Sequence, residues 1–265
     1  MQPLHDWAPG PLAKRWIGVF TDIDDTLTTE GAITHDALQA LDRLQAAGLK
    51  VVAITGRPVG WSEPFARAWP LDAIVAENGA VALLRDDRSP GGLRKLYQDP
   101  PELRAERFAR LQAVLARIER EVPGARRAQD SAGRETDIAI DHSEFTNLPP
   151  QVIDAVVALM QASGLRATVS SIHINGWIGA HDKLAGARWI VQQLWGRDLD
   201  REVSQWVYVG DSTNDQVMFA HFEHSVGVAN VQRFAAQLHH PPRYVTPSER
   251  GAGFAELVQH LLQHR

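Results

Sequence analysis

At 265 residues, 44% hydrophobic and 22% charged, the chain has an ordinary globular composition, which excludes a disordered, fibrous or low-complexity polypeptide. A net charge of -5 leaves no global attraction to nucleic acid or to an anionic membrane, so neither is expected as a partner. The absence of cysteine removes disulfides, thiolate zinc sites and cysteine nucleophiles together, and it fits a reducing, cytoplasmic location.

Residues 1–15 contain Pro3, Pro9, Gly10 and Pro11 but no continuous apolar run, and they read as a flexible N-terminal tail rather than a signal peptide. No later stretch approaches the ~20 apolar residues that span a bilayer. Residues 16–20 form a short apolar run that ends abruptly at Thr21-Asp22, the pattern of a buried strand. A helix follows, with Thr34 placed to cap it, Leu38, Leu41 and Leu44 on one face, and Gly48 as terminator. Residues 51–54 are the next strand, and Thr55-Gly56-Arg57-Pro58 turns the chain into a tryptophan-rich helical segment reaching Trp69. A strand over 73–76 then precedes Glu77-Asn78-Gly79, whose Asn-Gly pair marks a tight turn into 81–84. Strand and helix alternate, which predicts a parallel sheet with crossover helices.

From Arg85 the composition shifts to Arg, Asp, Ser, Pro and Gly, and Gly91-Gly92 is the strongest linker signal in the chain. An inserted unit is expected over 85–180. Its long helix over 101–122 repeats Phe108, Leu111, Leu115 and Ile118, which suits a helix packed on a sheet better than a coiled coil. Strand-like pieces at 136–141 and 167–174 flank a helix over 150–163. A helix from Asp182, a strand over 206–209, shorter elements near Val226 and Tyr244, and a last helix from Gly253 resume the first pattern. The expected fold is therefore α/β: a Rossmann-like parallel-sheet core, 16–84 and 181–265, with an inserted α/β cap over 85–180.

Asp22, Thr55 and Gly210-Asp211 each stand just beyond the carboxyl end of a predicted strand, where an open parallel sheet binds its ligands. Asp22, Asp24, Asp211 and Asp215 would then face one another, and crowded carboxylates require a cation. Oxygen ligands alone favour a hard ion, and Mg2+ suits a few carboxylates, waters and a substrate phosphate. Each motif also has a plainer reading. Asp-x-Asp alone is commonly a solvated turn, and Thr55 to Pro58 could simply start a helix. Lys183 opposes the dipole of the helix it begins, so something must compensate it, either bound phosphate and carboxylates or Asp182 as a cap.

Asp22-Ile23-Asp24-Asp25-Thr26 resembles the first motif of the haloacid dehalogenase-like phosphohydrolases. Thr55-Gly56-Arg57 is similar to the second motif, Lys183 to the third, and Gly210-Asp211-Ser212-Thr213-Asn214-Asp215 to the fourth, all in the family's order. The inserted unit between Thr55 and Lys183, together with Glu77-Asn78-Gly79-Ala80, resembles the type IIB branch. Its large α/β cap occurs in sucrose-phosphate and mannosyl-3-phosphoglycerate phosphatases and in a phosphomannomutase group. The resemblance implies a phosphoric monoester hydrolase acting on a small phosphorylated metabolite, with a sugar phosphate among the implied substrates. Asp22 would form an aspartyl-phosphate, and Asp24 would serve as general acid and base and bind the metal through its carbonyl. Thr55, Gly56, Arg57, Lys183 and Asn214 would bind phosphate, and Asp22, Asp211 and Asp215 would complete the metal site. Asp25 and Leu184 stand where the family often has glycine.

In the cap, Arg134, His173, Asn175 and Trp177 are candidates for substrate contact, each with a packing role as the plainer reading; His239-His240 reads as surface. A phosphomutase uses the same aspartyl-phosphate and is the nearest alternative, followed by a non-catalytic phospho-metabolite-binding module. A phospho-accepting signalling receiver is about half this length and lacks the insertion. The sequence leaves the oligomeric state open.

Overall fold

The computed structural model describes residues 1–8, 10 and 15–264. In chain order the first half forms β1 (Gln2–Pro3), β2 (Gly18–Thr21), the hairpin β3 (Thr28–Thr29) and β4 (Ala32–Ile33), α1 (His35–Ala46), β5 (Lys50–Ile54), α2 (Val59–Ala68), β6 (Ala73–Ala76), β7 (Val81–Arg85), β8 (Leu93–Tyr97) and α3 (Pro101–Glu121). The second half forms β9 (Asp137–Asp141), α4 (Pro150–Ala162), β10 (Arg166–Val169), β11 (His173–Trp177), α5 (Lys183–Trp195), α6 (Leu199–Glu202), β12 (Trp206–Gly210), α7 (Gln216–His221), β13 (His224–Gly227), β14 (Tyr244–Val245) and α8 (Arg250–Gln263).

Nine strands make one sheet in the order β1-β14-β13-β12-β2-β5-β6-β7-β8. Every pairing from β1 to β6 is parallel, and β7 and β8 add an antiparallel edge. Alternate residues of each strand enter opposite faces, so the apolar runs supply two cores. Val19, Val51, Ala53 and Val209 meet α1, α2 and α8 on one face, while Phe20, Val52, Ile54 and Tyr208 meet α5 and α7 on the other. After β2 the chain moves outward to β5 and β6, then returns to β12 and moves outward the other way. β2 therefore lies at the switch point, where the loops diverge and leave a crevice.

The inserted unit has its own core. β10-β11-β9 form an antiparallel sheet, and α3 and α4 pack Leu111, Leu115, Ile118, Val156 and Met160 against Ile138, Ile140 and Ile174. This is the helix-on-sheet packing expected of the α3 repeat. The alternation that turns Ile138, Ile140 and Ile174 toward the helices assigns Asp137, Asp141, His173, Asn175 and Trp177 to the opposite face.

Several expectations need correction. Gly91-Gly92 is a hairpin turn, not a linker: both residues have positive φ (74° and 73°), and β8 pairs with β7 along its full length. The large sheet therefore runs to Tyr97, beyond the expected core boundary at residue 84. The segment 167–174 is two strands, because Ser170 folds the chain back with its amide on the His173 carbonyl (2.8 Å). The N-terminal residues are not a loose tail where they are described. β1 pairs with β14, and Trp7 is buried, stacked on His224, Tyr244 and His260 at 5.3, 5.0 and 5.5 Å. Residues 9 and 11–14 of the expected tail lie outside the described residues.

Candidate active site

β12, β2 and β5 are neighbours, so the loops that follow them share one end of the sheet. The Asp22 amide donates to the Val209 carbonyl at 2.9 Å, which extends the β2–β12 pairing to the point where the Asp22 side chain departs. Thr55 leaves β5 with its amide on the Val75 carbonyl (2.9 Å), and its hydroxyl accepts from the Arg57 amide at 3.0 Å. The N-cap of α2 is Pro58, so Thr55 shapes the loop and does not start the helix. After β12, Ser212 and Asp215 form a capping box, and Asp215 Oδ2 accepts from the Asp211 and Ser212 amides at 2.9 and 3.1 Å. That turn leaves Asp215 Oδ1 facing inward.

Lys183 enters from the first turn of α5. Asp182 caps this helix by accepting from the Ala185 amide at 2.8 Å, while the Lys183 ammonium donates to Asp22 Oδ1 at 2.7 Å and Asp215 Oδ1 at 2.6 Å. Both readings of the helix start therefore hold, because the cap and the cation use neighbouring residues. The α5 start is held close by glycines. A Cβ on Gly186 would lie 2.6 Å from the Gly79 Cα, and Gly79 itself has φ of 110°. The Glu77-Asn78-Gly79 turn is thus the surface on which the lysine-bearing helix rests.

Asp22, Asp211 and Asp215 place one carboxylate oxygen each within 4.8 Å of one another, all buried. Burial pushes the Asp22 carboxyl up to about 7, with Lys183 opposing and Asp215 and Asp24 adding to the rise. Burial, with Asp215 and Asp22 nearby, raises Asp211 well above its ordinary value. Asp211 Oδ1 is buried with no hydrogen-bond partner, whereas its Oδ2 accepts from Asn230 at 3.1 Å. An unpartnered carboxylate oxygen beside two more carboxylates, with no sulfur or nitrogen ligand in the cluster, fits a hard divalent cation. One lysine does not neutralise three carboxylates.

The Asp24 side chain does not join this cluster. Both of its oxygens accept from Arg57 Nε at 3.0 Å, and Oδ1 also accepts from Nη2 at 2.9 Å. Arg57 lies over the Trp61 ring and reaches two carboxylates of the cap, Asp130 at 3.2 Å and Glu144 at 2.7 Å. Asp25 adopts φ of 54°, the left-handed conformation that makes glycine common at such a position, and pairs with Arg250 at 3.0 Å. Asn214 accepts from Ser212 Oγ at 2.9 Å and lines the narrow space shared by Asp22, Asp24, Thr55, Gly56 and Arg57.

Of the four cap candidates, His173 and Asn175 also line that space. Asn175 donates to the Gly56 carbonyl at 3.2 Å, and His173 pairs with Glu144 at 2.9 Å. Arg134 is buried and donates to the Gly56 carbonyl (3.1 Å), Asp137 (2.7 Å) and Asp130 (3.1 Å), a pinning contact between cap and core. Trp177 is 1% exposed, donates its indole N–H to the His181 carbonyl at 2.9 Å, and borders a separate cavity of about 110 Å3 beside Lys183. His239 and His240 are exposed, as expected.

Sequence reasoning missed Asn230, Tyr208, Asp130 and Glu144. Tyr208 donates to Asp215 Oδ1 but sits in an apolar strand run that hides it. Asn230 and the two cap carboxylates belong to no motif.

The comparisons with known proteins agree with this geometry. The sequence profile of the haloacid dehalogenase-like hydrolases matches residues 19–92. A phosphoglycolate phosphatase from Methanosarcina mazei is 25% identical over 243 residues, covering 91% of this chain and 94% of that one. A sucrose-phosphatase from Synechocystis, solved with sucrose and phosphate, superposes with a TM-score of 0.65 at 17% identity, covering 93% of this chain and 98% of that one. A sugar phosphatase of subclass IIB gives a TM-score of 0.64 at 17% identity over 94% of this chain and 99% of that one. These two likenesses establish a shared fold. The profile match over residues 19–92 and the similarity to a phosphatase along most of the chain both point to a hydrolase. Residues 19–92 thus carry the sequence profile of the haloacid dehalogenase-like hydrolases, and the chain shares the fold of a solved sugar phosphatase of subclass IIB.

Proposed function

We propose that the protein is a magnesium-dependent phosphatase of a small phosphorylated metabolite, working in the cytoplasm through an aspartyl-phosphate on Asp22. The observation that carries the reading is the buried Lys183 ammonium shared by Asp22 and Asp215, beside the unpartnered Asp211 oxygen. Such a site holds an anion's counter-charges ready at the position of a nucleophile.

Asp22 attacks phosphorus and the bond to the leaving oxygen breaks. Asp24 gives that oxygen its proton, then takes a proton from the water that attacks the phospho-aspartate, and inorganic phosphate leaves as the bond to Asp22 breaks. Lys183, Thr55 and the loop amides would hold the phosphoryl oxygens, while the Asp22, Asp211 and Asp215 carboxylates, with the Asp24 carbonyl that the resemblance adds, would hold the metal. A bound Mg2+ supplies neutralising charge to the phosphate. Both Asp24 oxygens accept from Arg57, so the entering substrate must draw the two apart before Asp24 can reach the leaving oxygen. Sugar phosphates are the leading substrates because sucrose-phosphatase shares the fold.

The test is phosphate release from sugar phosphates, phosphoglycolate and phosphoglycerates with and without magnesium. Asp22→Asn should lower kcat by more than about 10^3-fold. A folded Asp22→Asn protein with full activity removes the nucleophile assignment, and phosphoryl transfer to a second sugar without phosphate release would indicate a mutase.

A further inference from the structure

A cavity of about 410 Å3 opens beside Asp24, lined by core loops and by Ser143, Glu144 and Phe145 of the cap. Its position suits whatever is attached to the phosphate. Among the described residues that line it, Asp24, Asp25, Glu30 and Glu144 are acidic, and Arg57 alone is cationic. Arg57 has nothing to spare. Its Nε is taken by Asp24, its Nη1 by Asp130 (3.2 Å) and Glu144 (3.3 Å), and its Nη2 by Asp24 (2.9 Å) and Glu144 (2.7 Å). Three carboxylates share one guanidinium.

The neighbouring basic side chains do not reverse the balance, because each is already paired: Arg250 with Asp25 at 3.0 Å, Arg134 with Asp130 at 3.1 Å, and His173 with Glu144 at 2.9 Å. A carboxylate on the substrate would meet mostly like charge and would have to compete with Asp24, Asp130 and Glu144 for Arg57, whereas hydroxyls and an ammonium would meet acceptors.

Resting on the phosphatase reading, we infer that this cavity selects the leaving group by charge, accepting neutral or cationic ends and rejecting carboxylates, with Glu144 as a specificity-determining residue. The cap thereby separates this chain from an enzyme whose substrate ends in an acid, such as the phosphoglycolate phosphatase to which it is similar.

Three phosphate esters of nearly equal size isolate the charge: 2-hydroxyethyl phosphate, phosphoethanolamine and phosphoglycolate. With magnesium present, kcat/KM for phosphoglycolate should lie at least about tenfold below that for 2-hydroxyethyl phosphate, with phosphoethanolamine equal to it or above. Glu144→Gln should raise the phosphoglycolate to 2-hydroxyethyl phosphate ratio about tenfold. Glu30→Gln, on an exposed turn, gives the same readout if the first variant does not fold. Comparable rates on the acid and the alcohol overturn charge selection, and an unmoved ratio in the folded Glu144 variant overturns that residue's role. p-Nitrophenyl phosphate reports the chemistry separately. If it is not hydrolysed, the phosphatase reading falls and this inference with it; if it is hydrolysed while phosphoglycolate is favoured, only the inference falls.

Discussion

Asp211 shows how much of the candidate metal site depends on a residue that no motif contains. Its Oδ2 is fixed by the Asn230 amide, which also donates to the Asp25 carbonyl at 3.0 Å, while Asn230 Oδ1 accepts from the Arg250 amide at 3.0 Å. Asn230 thus ties the first and fourth motif loops to the start of α8 and leaves Asp211 Oδ1 aimed into the carboxylate cluster. Removing that brace frees the carboxylate to rotate. Asn230→Ala should raise the magnesium concentration for half-maximal activity by roughly 10- to 100-fold, with a smaller fall in rate at saturating metal. A magnesium titration of the folded variant checks this, and an unchanged requirement would reduce Asn230 to a packing residue.

At the level of elements, the lysine-bearing helix is positioned by a backbone contact rather than by a side chain. α5 approaches the turn after β6 so closely that Gly186 and Gly79 face each other without room for a Cβ. Lys183 lies one turn before Gly186, so any separation of helix and turn displaces the ammonium from Asp22 and Asp215. Gly186→Ala should destabilise the fold by about 1–3 kcal/mol through overpacking. It should also lower kcat at temperatures where the protein is fully folded. Denaturant unfolding and steady-state kinetics on one preparation separate the two effects, and unchanged kcat would show that the helix accommodates the methyl without moving Lys183.

Across the whole molecule, cap and core are joined by buried polar contacts and a close backbone approach. A Cβ on Gly60 of α2 would lie 2.9 Å from the Gly133 Cα, and Glu77 of the core accepts from the Glu135 amide at 2.9 Å. The Arg57–Glu144 pair adds a pH dependence to this closure. Burial pushes the Glu144 carboxyl up, but hydrogen bonds from His173 and Arg57 and their charges outweigh it, holding it down to about 2. A depressed folded value contributes stability that is complete above the ordinary carboxylate range. That stability is lost as pH falls from about 4.5 toward about 2. Hydrogen exchange over 137–144 should therefore speed up in that window before the large sheet does, and Glu144→Gln should flatten the change. Simultaneous loss of protection in cap and core would show that the pair does not control closure.

The sequence alone determined which residues could do the chemistry and in what order they occur. Strand-end placement of Asp22, Thr55 and Asp211 follows from short continuous apolar runs that end abruptly in polar residues, and the α3 and α5 helices follow from local periodicity and end signals. These are local patterns, so they can be read without knowing what they pack against. The partners that arrive from far along the chain could not be read in this way. Nothing near Gly91-Gly92 distinguishes a linker from a hairpin until β8 is seen on β7, and Trp7 looks like tail until His224 and His260 stack on it. Arg57 read as a phosphate contact, yet its donors are held by Asp24 and, more than 70 positions downstream, by Asp130 and Glu144. Tertiary structure decides such pairings because a buried guanidinium takes whichever carboxylates the fold brings within reach, and sequence distance does not constrain that choice.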